Sequence, residues 1–286
     1  MPEGDTILRA ARTLHRVLAG HTVTRFDSVF PALTRINDDS PIVGRTIKSV
    51  TARGKHLLMT FSGDLILRTH MRMNGSWHLY RTGARWKRPA ADMRVLVATA
   101  DAVAVGFNVP IAELLSSREL ERHAQMRQLG PDLLAGGGDR YQYSVDVPEI
   151  VKRMRARGRD RIAEVLLNQR VLAGIGNVFK SEILFAAGVD PLTPVSDLTD
   201  ADLERLVGIA RDQLAGNVLD RSRTLTPAIG RRTTRSLDPS AGLWVYGRGG
   251  KPCRRCGTII ASRKSGTDAR ITYWCPHCQR LSGRVP

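Results

Sequence analysis

No stretch of this 286-residue chain approaches the roughly 18 uninterrupted apolar residues that a membrane-spanning helix needs, so no membrane partner is expected. No apolar leader opens the sequence, and cysteine is scarce: there are four, none before Cys253. A disulfide scaffold calls for an oxidising compartment, and without a leader the expected location is the bacterial cytoplasm, in association with the nucleoid. Internal repeats and low-complexity tracts are absent as well, which excludes solenoid and fibrous architectures. The remaining shortfall is in acid. Against 44 Lys+Arg stand 27 Asp+Glu, a net charge of +17. Such an excess suits a polyanion, although an arginine-rich soluble surface is the bland alternative.

The positive charge is uneven. From Leu243 onward there are nine basic residues and one acid, Asp268; from Val151 to Arg161 there are six and one, Asp160. The four cysteines fall in the first of these regions as Cys253-x-x-Cys256 and Cys275-x-x-Cys278, 18 residues apart. That spacing is the one expected of a four-thiolate zinc ribbon, one structural zinc per chain. Two disulfides or a redox pair are the competing readings.

Patterning divides the rest. Asp5–Ala19 places Ile7, Leu8, Ala11, Leu14 and Leu18 at helical steps, with Gly20 as a stop. Short runs rich in Val, Ile, Leu and Thr follow at 23–29, 46–51, 56–61, 64–70, 94–99 and 102–107, with Ser62-Gly63 as a hairpin signal. Leu129-Gly130-Pro131-Asp132 and Gly136-Gly137-Gly138 mark an exit from this region, and helices are expected from about Pro148 to Leu219, interrupted at Gly174-Ile175-Gly176-Asn177. Arg221–Gly242 has little apolar material and reads as a mobile basic loop. The expected fold class is α+β: an N-terminal β-sandwich with a flanking helix (1–135), a helical domain (148–222), a basic loop (223–242) and a zinc-ribbon hairpin (243–286).

Chemistry is carried by Met1-Pro2-Glu3-Gly4. Removal of Met1 leaves a secondary amine at Pro2, and an α-amino group, titrating near about 8, is partly unprotonated and nucleophilic at neutral pH. Together with Arg53-Gly54-Lys55-His56-Leu57-Leu58, His70-Met71-Arg72-Met73 and Gly75, Leu129-Gly130-Pro131-Asp132, Gly174-Ile175-Gly176-Asn177, Val245-Tyr246-Gly247-Arg248, and Arg270 ahead of Tyr273-Trp274-Cys275, this opening makes a collinear set. In that order and over essentially the whole length, the chain resembles the formamidopyrimidine-DNA glycosylase and endonuclease VIII family.

The resemblance implies a bifunctional DNA glycosylase and abasic-site lyase of base excision repair, acting as a monomer on damaged DNA. It implies catalytic roles for Pro2 (nucleophile at C1′), Glu3 (proton donor at the sugar), Lys55 (phosphate contact, β-elimination) and Arg270 (phosphate grip, δ-elimination). It gives His70 and Asn177 to phosphates, the latter in a helix–two-turns–helix unit, Arg72 and Met73 to a wedge in the base stack, and Cys253, Cys256, Cys275 and Cys278 to zinc. The chain departs from the family's pattern at two places. Thr6 follows Asp5 where many relatives carry a glutamate. Val105-Gly106-Phe107-Asn108 stands where the formamidopyrimidine branch has an Arg-Arg-Phe segment touching the orphaned base. The first leaves any second carboxylate role absent or filled elsewhere; the second, with the poor match of Arg221–Gly242 to that branch's purine-covering loop, favours the endonuclease VIII side and oxidised pyrimidines. An 8-oxoguanine and formamidopyrimidine enzyme is the alternative, and a non-catalytic lesion-binding zinc protein a second.

Overall fold

A computed structural model describes residues 2–136, 144–218, 230–236, 238–265 and 270–280. The described chain divides into two compact units that meet in sequence at Gln128 and Leu129.

In the first unit, α1 (Gly4–Leu18) buries Ile7, Leu14 and Leu18, and Ala19 leaves the helix in an extended conformation before Gly20 at φ +84°. The strands are β1 (Arg25–Ser28), β2 (Ile47–Arg53), β3 (His56–Phe61), β4 (Leu65–His70), β5 (Ser76–Arg81), β6 (Met93–Ala98), β7 (Ala102–Phe107) and β8 (Ile111–Leu115). They form two antiparallel sheets, ordered β1-β6-β7-β5 and β2-β3-β4-β8. One core joins α1 to both sheets through Val50, Leu57, Met59, Leu67, Trp77, Val95, Val97 and Leu114. This is the expected sandwich. The six strand runs all appear, although β1 starts two residues later than expected. Two strands and a helix do not follow from pattern: β5 and β8, and α2 (Pro31–Asp39), which buries only Leu33. Ser76–Arg81 has no β-branched residue and Ile111–Leu115 carries Glu113, so each gives a weak strand signal. Two short helices, α3 (Ser117–Arg122) and α4 (Ala124–Arg127), close the unit, the first with a Ser116/Glu119 capping box.

The second unit begins with Leu129–Asp132, which the sequence places at the end of the first domain. Its hydrogen bonds run the other way: Gly130 N–H donates to Gln169 O at 2.8 Å and Ala173 N–H to Pro131 O at 2.9 Å. A Cβ on Gly130 would stand 2.4 Å from Val171 O, so only glycine allows this approach. Helices α5 (Val147–Arg155), α6 (Ile162–Leu167), α7 (Asn177–Ala187) and α8 (Asp200–Val218) follow. Thr199 caps α8, its Oγ1 accepting from Asp202 N–H at 3.1 Å. The ribbon hairpin is β9 (Ala261–Ser265) with β10 (Arg270–Trp274). Of the expected mobile loop, 221–229 and 237 lie outside the described residues. The rest is tethered: Arg232 N–H donates to Asn217 Oδ1 at 2.8 Å, and Trp244 Nε1–H to Thr233 O at 3.2 Å. Residues 137–143, within which the glycine run ends, also lie outside the description.

Helix α7 organises this unit. Nearly every side chain on it is buried, including Lys180, Ser181 and Glu182. The Glu182 carboxylate accepts from Thr233 Oγ1 and from the backbone N–H groups of Trp244 (2.8 Å), Val245 (2.9 Å) and Tyr246 (2.8 Å). Glu182→Gln replaces one acceptor oxygen by an NH2 facing donors. We expect it to cost about 2–4 kcal/mol of unfolding free energy, since buried donors lose a charged partner. Urea denaturation of the zinc-loaded protein measures this, and an unchanged midpoint would contradict the anchoring role.

Candidate active site

Pro2 lies half-buried immediately before α1, and Glu3 occupies the N-cap position with its side chain fully buried. Glu3 O accepts from Ile7 N–H at 3.0 Å, which fixes the backbone behind Pro2. Asp5, also fully buried, sits in the same first turn and accepts from Thr6 Oγ1 at 3.2 Å. Two buried carboxylates therefore accompany the N-terminus, and Asp5 supplies a second acid despite Thr6.

Lys55 follows Gly54 (φ +58°) in the turn between β2 and β3. The registers Arg53↔His56, His56↔His70 and His70↔Ile111 bring this turn to the end of the sheet where β4 stops. His70 there is held down to about 4, first by burial and then by the Lys55, Arg68 and Arg72 charges, so it is neutral at pH 7. Its Nδ1 accepts from Arg72 N–H at 3.1 Å. The ring proton is thus on Nε2, a donor suited to a phosphate oxygen.

The turn after β4 projects outward. Met71 is anchored in the core, Arg72 adopts φ +44°, and Met73 is 56% exposed. Left-handed backbone costs a non-glycine residue about 1–2 kcal/mol, and the His70 bond offsets part of it. Gly75 N–H donates to Met71 O at 2.9 Å, and a Cβ at Gly75 would lie 2.5 Å from that oxygen. Met73 is therefore not strand core: its thioether is exposed on the turn after β4.

Behind His70 lies a cluster that the sequence does not announce. Arg68, 1% exposed, bonds His56 Nδ1 at 2.7 Å, Glu113 Oε2 at 2.6 Å and His123 Nε2 at 3.2 Å. A guanidinium only donates, so His56 Nδ1 must be an unprotonated acceptor. Burial, with the neighbouring His70 and Arg68, draws His56 down to about 2. Its ring meets His70 edge-on at 4.7 Å. His56 and Arg68 lie on the face of β3 and β4 turned away from the Leu57, Met59 and Leu67 core, where Leu58 and Ile66 are also buried, so the alternation that finds the core does not announce them.

In the second unit, Gly174 at φ +112° and Gly176 shape the turn into α7, and Gln169 pins it, accepting from Gly174 N–H (3.1 Å) and donating to Ile175 O (3.0 Å). Asn177 Nδ2 donates to Ile271 O at 2.9 Å while Asn177 Oδ1 accepts from Lys180 Nζ at 2.7 Å. Asn177 is thereby joined to the residue beside Arg270, which opens β10 at the hairpin tip, half-exposed. Pro2, Glu3, Lys55, His70, Arg72 and Met73 belong to the first unit; Asn177, Arg270 and the cysteines belong to the second.

The four cysteine sulfurs lie within 4.8 Å of one another. Arg255 N–H donates to Cys253 Sγ and Cys278 N–H to Cys275 Sγ, each at 3.4 Å. Such N–H···S bonds stabilise thiolates. Hydrogen bonds with Thr258 draw Cys256 down to about 6, whereas burial pushes the Cys278 thiol up. A tetrahedral zinc with bonds of about 2.3 Å fits the cluster and supplies the missing counter-charge. Four thiolates leave no position for water, so the metal is structural.

Comparison with known proteins accounts for most of the chain. Residues 1–110 match the formamidopyrimidine-DNA glycosylase N-terminal domain, 137–226 the formamidopyrimidine-DNA glycosylase H2TH domain, and 250–281 a zinc finger found in FPG and IleRS. The chain is 42% identical to "Probable endonuclease 8 2" of Streptomyces coelicolor (98% of this chain, 94% of that one). It is 41% identical to "Endonuclease 8 2" of Mycobacterium tuberculosis (98% and 100%). It is 38% identical to "DNA-(apurinic or apyrimidinic site) lyase Nei2" of Mycolicibacterium smegmatis (99% and 100%). Among solved structures, Lactococcus lactis Fpg bound to DNA containing an oxidised pyrimidine shares the fold with a TM-score of 0.79 at 22% identity, covering 98% of this chain and 100% of that one. Among the described residues no helix is long and apolar enough to cross a membrane.

Two measurements follow. His56 and His70 resist protonation when folded but titrate near 6.5 when unfolded, so the unfolded chain binds more protons below that pH. Stability should therefore fall on acidification from 6.5 towards 4, these two groups contributing up to about 2.7 kcal/mol per pH unit. His56→Asn should flatten the slope by about half of that; an unchanged slope removes His56 from the account. For the metal, a chelator should release one zinc per chain and expose the β9–β10 amides to hydrogen exchange while those of β3 and β4 stay protected. Folded protein containing no zinc would contradict the assignment.

Proposed function

Because this chain belongs to the formamidopyrimidine-DNA glycosylase and endonuclease VIII family, DNA glycosylases with abasic-site lyase activity, we propose that it excises oxidised pyrimidines from DNA through a Schiff base on Pro2. The observation that carries this reading is the N-terminus itself, where Pro2 stands before fully buried Glu3 at the start of α1. With Met1 removed, the Pro2 nitrogen lone pair attacks C1′ of the damaged nucleotide and the base departs with its electron pair. Glu3 gives a proton to the ring oxygen as the sugar opens, leaving an iminium between Pro2 and C1′. The positive iminium acidifies C2′–H; loss of that proton expels the 3′-phosphate, and a second elimination expels the 5′-phosphate.

Lys55 and the Nε2–H of His70 hold the phosphates around the opened sugar, and Arg270 holds another bidentately during the second elimination. Arg72 and Met73 fill the gap left by the extruded base, whose unstacking costs a few kcal/mol. Asn177 serves the phosphate site at the α7 N-terminus. Zinc, held by Cys253, Cys256, Cys275 and Cys278, keeps the ribbon folded. The β7–β8 connection, Asn108-Val109-Pro110, carries no cation for the pyrimidine left opposite an extruded purine lesion, which supports pyrimidine lesions instead. The enzyme works as a monomer in the bacterial cytoplasm, and its net charge of +17 supports the DNA partner.

Borohydride added during reaction with oxidised-pyrimidine DNA should trap a covalent adduct that maps to the N-terminal peptide. A tag that prevents removal of Met1 should abolish trapping. An adduct on Lys55, or a preference for 8-oxoguanine across a lesion panel, would overturn the nucleophile or the specificity respectively.

A further inference from the structure

The connection from β5 to β6 is eleven residues of backbone with a structure of its own. Beyond Arg81 it doubles back along the outer face of the β1-β6-β7-β5 sheet, and Trp86 seats on Phe107, the last residue of β7, with ring centroids 5.6 Å apart. Tyr80 stacks on the same indole at 6.4 Å, its hydroxyl accepting from Lys87 N–H at 3.2 Å. Leu96, Ala98 and Val105 complete a small core beneath it. This apolar footing fixes an arm whose outward side chains are cationic. Arg85 and Lys87 are exposed, and among the described residues neither has a carboxylate partner; Arg88 stands 3.8 Å from Asp92. The arm curls round an open hollow lined by Arg85, Trp86, Lys87, Arg88 and Pro89. Solvated cations on a flexible loop need no explanation, but here buried aromatic area is spent on holding them in place.

Register locates the arm. Phe107 pairs with Ser76 at the start of β5 and with Met93 at the start of β6, and Asn108 N–H donates to Asp92 O at 2.8 Å. The arm therefore returns to the end of the sandwich from which the Met71–Gly75 turn projects. At that same end, but on the other sheet and two strand pairings away, lies the Lys55 turn. In order across the end of the unit come Lys55, the wedge turn that joins the two sheets, then the arm. If Lys55 holds the strand bearing the lesion and Arg72 and Met73 enter the stack, the next backbone beyond the wedge is that of the complementary strand. The β7–β8 connection offers it no cation, whereas Arg85 and Lys87 do.

We propose that the Thr82–Asp92 arm is a phosphate-binding site for the strand opposite the lesion, with Arg85 and Lys87 as its contacts, so that it gives the protein its grip on duplex over single-stranded substrate. The proposal rests on the glycosylase/lyase reading above. It involves no base-specific contact: cations gripping phosphates add affinity and salt dependence without sequence preference.

The test uses full-length zinc-loaded protein and a stable abasic analogue placed in an oligonucleotide, either single-stranded or annealed to its complement. R85Q/K87Q leaves Trp86 and its footing intact. Duplex Kd should rise roughly tenfold, and the slope of log affinity against log salt should flatten by about two units, while the single-strand Kd moves less than twofold. K48Q, an exposed charge at the opposite end of β2, controls for loss of general positive charge. Equal losses on both substrates, no loss on duplex, or the same loss in K48Q would each overturn the proposal. Wild-type cleavage of abasic DNA separates the two readings: with cleavage present and duplex affinity untouched, the arm alone is wrong, whereas without cleavage the function fails and the arm falls with it.

Discussion

Four donors converge on the carboxylate of Glu182, three of them consecutive backbone N–H groups at Trp244, Val245 and Tyr246. The second unit depends on this contact. A ribbon of this size cannot bury enough apolar surface to fold by itself, and it needs both a metal and a docking partner. Glu182 provides the docking point because it is fully buried on a helix that is enclosed along nearly all of its length. No water competes for the carboxylate, so charge-assisted bonds keep much of their strength. Around it the same helix supplies Phe185, stacked on Trp244 at 5.3 Å, and Lys180, bonded to Thr272 Oγ1 at 2.7 Å. Helix α7 thus reaches the ribbon at its entry through Glu182 and along β10 through Lys180 and Asn177. The position of Arg270 follows from these ties together with the zinc.

The first unit solves a different problem, that of holding a projecting turn rigid without burying it. Arg72 is in a conformation that an arginine resists, and the compensating bond comes from a histidine nitrogen that must stay unprotonated. Burial beside Arg68 and Lys55 keeps it so. The same burial makes the site intolerant of acid, since an imidazolium would lose the acceptor and face three cations. Stability below neutral pH is given up for an acceptor that is permanently available near pH 7.

Much of this was legible in the sequence because it depends on local periodicity or fixed spacing. α1, six of the strands, the glycine turn before Asn177 and the cysteine pairs are of this kind. What escaped has a common cause. Arg68 and Glu182 are charges inside apolar-patterned elements, and a charge there reads as an interruption until its partners, 45 and 62 residues away for Glu113 and Trp244, are known. β5 and β8 escaped because their strand character comes from neighbours in the sheet: Trp77 and Leu114 are buried by packing, not by an alternating pattern of β-branched residues. The Leu129–Asp132 turn was found as punctuation but attached to the wrong side, since Gly130 and Pro131 bond forward to Gln169 and Ala173.

Asn177 shows why a residue's identity and its role separate. Its carbonyl oxygen is taken by Lys180 and one amide hydrogen by Ile271. A carboxamide has two N–H donors, so a phosphate at this turn would meet the second hydrogen together with backbone N–H groups at the start of α7, where the helix end already favours an anion. The side chain's larger contribution is then orientation. With both ends of the amide held, neither flipping nor rotation is available, and the remaining donor points in one direction. An aspartate would match Lys180 equally well but would lose the bond to Ile271 and set a negative charge against the phosphate. That double requirement, acceptor towards Lys180 and donor towards both β10 and the anion, is met among the natural side chains of this length by asparagine alone.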